Sequence, residues 1–181
     1  MSLSKQDTTC LQCGFGLWIP VDELSSSYMG LYSDARFPGR CIVTLNQHAE
    51  HLDELPPDTV SSFMLNVRVA SMALRIATGS PRINVAILGN QEGHVHAHLI
   101  PRYPESEPRP NKAPWEDTRP RGSMSSADNE RYVELIRRAL KQVKVSEESR
   151  GRKVELRHVS SAEMEPPLLM LSQDAATDLL I

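Results

Sequence analysis

Cysteine is scarce in this chain. The three cysteines, an odd number, cannot build a disulfide framework and point instead to a reducing compartment, the cytoplasm. A dominant charge is missing too: the formal net charge is -3, so no global basic field exists to recruit nucleic acid or an acidic membrane. Neither is expected as a partner, and any phosphate-bearing ligand must be held by local donors. Long apolar runs are also missing. No stretch approaches the roughly 18 consecutive apolar residues of a membrane span. Residues 1–13 place no apolar core behind basic residues, so a secretory signal is not expected. No internal repeat is visible. What is present, 40% hydrophobic and 24% charged residues, suits one well-buried globular domain with an appendage.

The apolar pattern predicts an α+β fold. Short strands are expected around Leu17–Val21, Tyr28–Ser33 and Arg40–Leu45, the last rich in β-branched residues and preceded by a Phe37-Pro38-Gly39 turn. Val60, Phe63, Met64, Val67, Ala70, Leu74 and Ala77 recur at helical spacing. They predict a helix over 58–78, capped by Asp58 or Thr59 and ended by Gly79. Ile83–Leu88 reads as a buried strand. Residues 104–122, with Pro104, Pro108, Pro110, Pro114 and Pro120, form an extended loop in which Trp115 is expected to be anchored. A second helix runs from a Ser125-Ser126 cap to Val143. Residues 146–153 read as a charged linker, Val154–Val159 as a strand, and Pro167–Leu171 as an apolar patch. The expected division is a domain at 1–145 and an extension at 146–181.

Chemistry concentrates in His94-Val95-His96-Ala97-His98. On a strand, alternate residues share a face, so three imidazoles stand in a row while Val95, Ala97 and Leu99 face a core. The plainest reading is an exposed polar face, but such faces are usually built from Thr, Lys, Glu and Ser. A metal site is a second reading, because neutral imidazole is a common zinc ligand. Nucleophilic catalysis by one imidazole, oriented by its neighbours, is a third.

Asn84-Val85-Ala86-Ile87-Leu88-Gly89-Asn90 followed by His94-Val95-His96-Ala97-His98-Leu99-Ile100-Pro101-Arg102-Tyr103 resembles the signature of the histidine-triad family. Phe37-Pro38-Gly39, the 41–45 strand and Asn46-Gln47-His48 are similar to that family's approach to its long helix, so the resemblance covers roughly residues 10–116. It implies an antiparallel sheet of about five strands with a long helix on one face. It also implies a homodimer and hydrolysis or transfer at a nucleotide phosphorus. His96 is then the nucleophile, forming a nucleotidyl-imidazole that water cleaves; His98 assists at the phosphate or leaving oxygen, and His94 supports the site. Asn90 matches an amide side chain that holds phosphate, with Asn84 its rival because the loop before the triad is short. Backbone amides around Gln91 and Gly93 add donors, and Asp34 matches an acid near the ribose. The chain departs from many relatives in one respect: Gly39-Arg40 stands where they carry Gly-His.

Cys10-x-x-Cys13 is half of a tetrahedral zinc site by spacing alone, or else a pair of free thiols on a frayed terminus. A subset of the family completes such a pair with the histidine before the long helix and the first triad histidine. The resemblance therefore implies structural zinc on Cys10, Cys13, His48 and His94, with His51 the rival of His48, and no organic cofactor. Cys41 is expected in the core and His158 to be incidental. Hydrolysis of a dinucleoside polyphosphate or similar conjugate is the leading expectation. Phosphoramidase, nucleotidyl-transferase or phosphorylase chemistry, and a zinc-stabilised binding module without turnover, are the alternatives.

Overall fold

The computed structural model describes residues 3–160, with side chains described up to 149. Five strands, β1 (Ile19–Glu23), β2 (Ser27–Leu31), β3 (Cys41–Leu45), β4 (Arg82–Ala86) and β5 (His96–Arg102), form one sheet in the order β1-β2-β3-β5-β4. Every pairing is antiparallel. Helix α1 (Pro57–Thr78) lies between β3 and β4 in sequence, and α2 (Ser126–Ser160) follows β5. This is the expected α+β arrangement.

Pleat and helical period assemble one core. Met29, Val43, Ala97 and Leu99 of the sheet meet Phe63, Val67, Ala70 and Leu74 of α1, all buried. Val133, Ile136, Ala139, Leu140 and Val143 of α2 join the same cluster. By length and composition alone α1 would suffice to cross a membrane, yet this apolar stripe is spent on the sheet. Because strand side chains alternate, burying Ala97 and Leu99 sends His96 and His98 to the opposite face.

Several expectations need correction. Helix α1 begins at Pro57 with no side-chain cap from Asp58 or Thr59; a proline at the first position lacks the N–H a cap would satisfy. Its Met64 is exposed. Strand β4 is an edge strand, leaving Val85, Ile87 and Leu88 substantially exposed rather than buried. Trp115 is not anchored but 61% exposed. Ser125 does cap α2, accepting from the Asp128 N–H at 3.1 Å. The helix then continues through 146–153 and 154–159 to Ser160, where a linker and a strand were expected. The Glu-, Lys- and Arg-rich composition there favours helix, and the two-residue alternation of 154–159 was too short to signal a strand against it. Residues 3–146 form one compact unit, and the described residues from 147 on fall outside it; Pro167–Leu171 lies outside the described residues, as does the side chain of His158.

The turn before β3 depends on Gly39. The Arg40 N–H bonds the Phe37 carbonyl oxygen at 2.9 Å, with Pro38 and Gly39 between them. Gly39 has φ +84°, and a Cβ there would lie 2.6 Å from Thr78 Cγ2. That is the geometry of a type II turn, and it fixes where the Arg40 side chain departs. Gly39→Ala should therefore lower stability by roughly 1–3 kcal/mol, read as a fall in the chemical-denaturation midpoint. A midpoint equal to wild type would show that the turn relaxes freely.

Candidate functional site

The triad occupies the face of β5 opposite the Ala97 and Leu99 side chains, and the residues just before that strand. Thr44 pairs with His96 across β3–β5, and His98 lies between Ile42 and Ala86. His94 precedes the strand proper. The Val95 amide bonds the Ala49 carbonyl at 2.8 Å and the Val95 carbonyl accepts from Leu45 N–H at 3.0 Å. The three imidazoles are not an exposed polar face. His94 and His96 are buried, at 2% and 6% exposure, and His98 is partly so.

Their hydrogen bonds assign each ring a tautomer. His94 Nε2 lies 2.9 Å from the Leu45 carbonyl oxygen. A carbonyl only accepts, so Nε2 carries the proton and Nδ1 presents its lone pair. His96 Nδ1 lies 2.6 Å from the His94 carbonyl oxygen, so Nδ1 carries the proton there and Nε2 presents the lone pair. His98 Nδ1 lies 3.4 Å from the Arg40 guanidinium, which only donates; its proton belongs on Nε2. The His96 and His98 rings meet edge-to-face with centroids 5.0 Å apart.

His94 Nδ1 points at a second constellation. Among the described residues, the ligand atoms of Cys10, Cys13, His48 and His94 all lie within 4.8 Å of one another. Cys13 Sγ is 3.4 Å from His94 Nδ1, and Cys10 Sγ is 3.7 Å from His48 Nδ1. Zinc–sulfur and zinc–nitrogen bonds of about 2.3 and 2.0–2.1 Å at a tetrahedral angle would put such atoms about 3.6 Å apart, so the donor set fits a zinc ion. His48, not His51, belongs to the cluster; His51 is exposed, and its N–H goes to Glu54. The local chain explains the placement. The Cys10 N–H bonds the Phe15 carbonyl at 2.7 Å, the Gly14 N–H bonds the Cys10 carbonyl at 2.8 Å, and Gly14 takes φ +75°. That tight loop turns the two thiols towards His48 and His94 and lays Phe15 over His94 and His96, with ring centroids 5.2 and 5.0 Å away.

Asp34 sits in a charge cluster beneath the third histidine. Arg36 reaches its carboxylate from Nε at 3.0 Å and from a terminal nitrogen at 2.8 Å, and Arg40 reaches it at 3.0 Å. Burial alone would raise the Asp34 pKa; the bonds from Arg36 and Arg40 outweigh it and hold the carboxyl below its usual value. The acid expected at the ribose is thus occupied with two arginines. Asn84 is likewise engaged, its carboxamide oxygen accepting from Arg102, which also grips Glu107 and the carbonyls of Pro110 and Lys112. Asn90, Gln91 and Gly93 lie on the exposed loop before the triad. Sequence reasoning missed Phe15, for which a ring soon after the cysteine pair was the available signal. It also gave Arg40 no role, although the Gly-His to Gly-Arg departure marked it.

Burial lowers the His98 pKa to about 4, with the Arg40 charge and His96 adding to the effect. The unfolded chain therefore binds a proton at this residue before the folded one does. Its contribution to stability is complete above pH about 6.5 and declines as pH falls towards about 4. Denaturation midpoints of wild type should fall more steeply between pH 6.5 and 4.5 than those of His98→Asn. Parallel profiles would show that His98 is not held neutral by the fold.

Residues 21–105 match the HIT domain family model. An uncharacterized HIT-like protein of Methanocaldococcus jannaschii is 32% identical over 73 residues, which are 38% of this chain and 56% of that relative, little more than half its length. A histidine triad protein of Bradyrhizobium japonicum shares the fold with a TM-score of 0.61 at 22% identity, over 77% of this chain and 97% of its own. A zinc-bound histidine triad family protein of Mycobacterium smegmatis does so with a TM-score of 0.52 at 20% identity, over 70% and 86%. The diadenosine triphosphate hydrolase of Plasmodium falciparum, solved with cyclomarin A, gives a TM-score of 0.52 at 18% identity, over 71% and 81%. With the triad placed on β5 of the same sheet, residues 21–105 of this chain are a histidine-triad (HIT) domain.

Proposed function

We propose that this protein is a nucleotide hydrolase that cleaves a dinucleoside polyphosphate or similar conjugate at its α-phosphorus, through a nucleotide carried on His96. The observation that carries this reading is the 2.6 Å bond from His96 Nδ1–H to the His94 carbonyl oxygen. With Nδ1 holding the proton, the lone pair of the uncharged imidazole falls on Nε2, the form in which imidazole is a nucleophile. Nε2 attacks phosphorus, a nitrogen–phosphorus bond forms, and the bond to the leaving oxygen breaks with its electron pair going to the departing phosphate. Water then attacks the same phosphorus. An oxygen–phosphorus bond forms, the nitrogen–phosphorus bond breaks, and the water proton passes to solvent while a nucleoside monophosphate leaves. His98 donates Nε2–H to a phosphoryl oxygen. Asn90 and the amides around Gln91 and Gly93 supply further donors from the loop, where charge on the phosphoryl group needs stabilising. The hydrolase activity of the Plasmodium structural relative is consistent with this reading at the level of fold.

Cys10, Cys13, His48 and His94 would hold one zinc ion in a closed structural site. When bound, zinc ties the N-terminal segment to the sheet, and the chemistry is left to His96. Homodimer formation and a cytoplasmic location complete the proposal.

His96→Ala should abolish turnover while nucleotide affinity stays within about tenfold, because a nucleophile contributes chiefly to the transition state. Incubating wild type with a substrate radiolabelled at the α-phosphate should trap an acid-labile adduct that His96→Ala lacks. Binding without turnover or adduct in wild type would identify a nucleotide-binding module instead. The purified protein should carry close to one zinc per chain, and Cys13→Ser should lose metal and melting temperature together, since site formation is coupled to folding. Unchanged melting after exhaustive chelation would refute the structural role.

A further inference from the structure

Among the described residues, Arg40 is a charged side chain touching the triad to which the proposed reaction gives no task. It does not float there. Its guanidinium is held at 3.0 Å by the buried Asp34 carboxylate, lies 4.2 Å from the Tyr32 ring centroid, and reaches His98 Nδ1 at 3.4 Å. Its Nε is buried without a hydrogen-bond partner, an arrangement that costs free energy and therefore calls for a reason. Asp34 is in turn gripped by Arg36 through both carboxylate oxygens, so the position of Arg40 is set twice over.

The consequence falls on His98. Guanidinium has five N–H donors and no acceptor, and it stays protonated throughout the accessible pH range. A nitrogen facing it must be the one with the lone pair, because an Nδ1–H would set two donors against each other. His98 is therefore confined to a single form, neutral, with its proton on Nε2. A general acid must hand its proton over. Doing so from this form would leave an imidazolate, which is far too basic to be a reasonable product near neutral pH, and the cationic form that could donate easily is opposed by the adjacent guanidinium. Such a ring can lend a hydrogen bond to a phosphoryl oxygen but cannot protonate a leaving group.

We propose that Arg40 is a positioning residue that locks His98 as a neutral hydrogen-bond donor, and thereby restricts the site to substrates whose leaving group departs from phosphorus as a weakly basic oxyanion, phosphate or polyphosphate, and not as an amine. The inference rests on the reaction proposed above and chooses among its substrates. In the anhydride case the bookkeeping closes without an acid: His96 Nε2 bonds to phosphorus, the anhydride oxygen leaves with the electron pair, and the departing phosphate is stable as an anion. In the phosphoramidate case the nitrogen must gain a proton as its bond to phosphorus breaks, and His98 in this form has none to give.

The test compares diadenosine triphosphate with adenosine 5′-phosphoramidate on the full-length protein. General acid catalysis is worth about 10²–10⁴-fold, so wild type should show a kcat/KM for the amide at least about 100-fold below that for the anhydride. Arg40→Gln and Arg40→His release His98, and should narrow this gap at least about tenfold, with the amide gaining on the anhydride. A purely structural Arg40 would instead depress both substrates by one common factor and leave the gap unchanged, which overturns the proposal. Nitrogen-15 NMR of wild type labelled at histidine should show His98 protonated on Nε2 alone from pH 5.5 to 8. A cationic or Nδ1-protonated ring in that range also overturns it, and this readout holds even if the variants do not fold. Labelled His96 with equal turnover of both substrates sinks the role of Arg40 and spares the nucleophile; no label from either substrate sinks both.

Discussion

An imidazole buried beside a carbonyl oxygen has one way to be satisfied: it donates through the nitrogen that faces the oxygen and leaves the other nitrogen bare. Two carbonyls do this here. Leu45, at the end of β3, takes the Nε2 proton of His94, and the His94 carbonyl takes the Nδ1 proton of His96. The two rings thereby expose opposite nitrogens, Nδ1 towards the cysteines and Nε2 towards the open face. Neither outcome is intrinsic to histidine, whose tautomers lie close in energy. Both follow from the strand register, which seats Leu45 and Thr44 beside the start of β5, and from the burial of Ala97 and Leu99 on the other face.

That arrangement makes the metal candidates and the proposed nucleophile parts of one object. His94 faces the thiols with one ring atom, the β3 backbone with another, and orients His96 with its own carbonyl. Phe15 is stacked over both rings and is carried by the same tight loop that turns Cys10 and Cys13 towards the histidines. A ligand held by the thiols would therefore limit how far His94 can tilt. The His94 carbonyl, and with it the His96 ring, would be limited in the same measure. This is the sense in which an outer partner tunes a reacting group without touching substrate.

Much of this was legible in the residues, and the failures are informative. Three histidines at two-residue spacing placed the chemistry because the alternation of a strand leaves little freedom. The long helix was legible because Phe63, Val67, Ala70 and Leu74 repeat over many turns. Val154–Val159 was misread because two-residue alternation over so short a run cannot outweigh a helix already under way. Trp115 was misjudged on the assumption that a large ring must be covered, which single exposed aromatics regularly violate. Asp34 was noticed, but its engagement with Arg36 and Arg40 depends on a turn bringing residues two and six positions away onto one carboxylate. Composition and spacing do not encode that proximity; the Pro38-Gly39 turn does, and only once its left-handed glycine is recognised.

The same turn explains why one substitution matters at position 40. A histidine there would face His98 as another titratable ring, able to donate or accept and to exchange protons with it. An arginine has only donors and a permanent charge. Placing it required an anion, and Asp34 supplies one in a setting where burial alone would have favoured its neutral form. Arg36, and with it Arg40, lowers the pKa of that carboxyl against its burial, so Arg36, Asp34 and Arg40 act together as one network. The charge that reaches His98 is thus not a surface residue that happened to lie near, but the end of a chain of three ionised groups built into the start of β3.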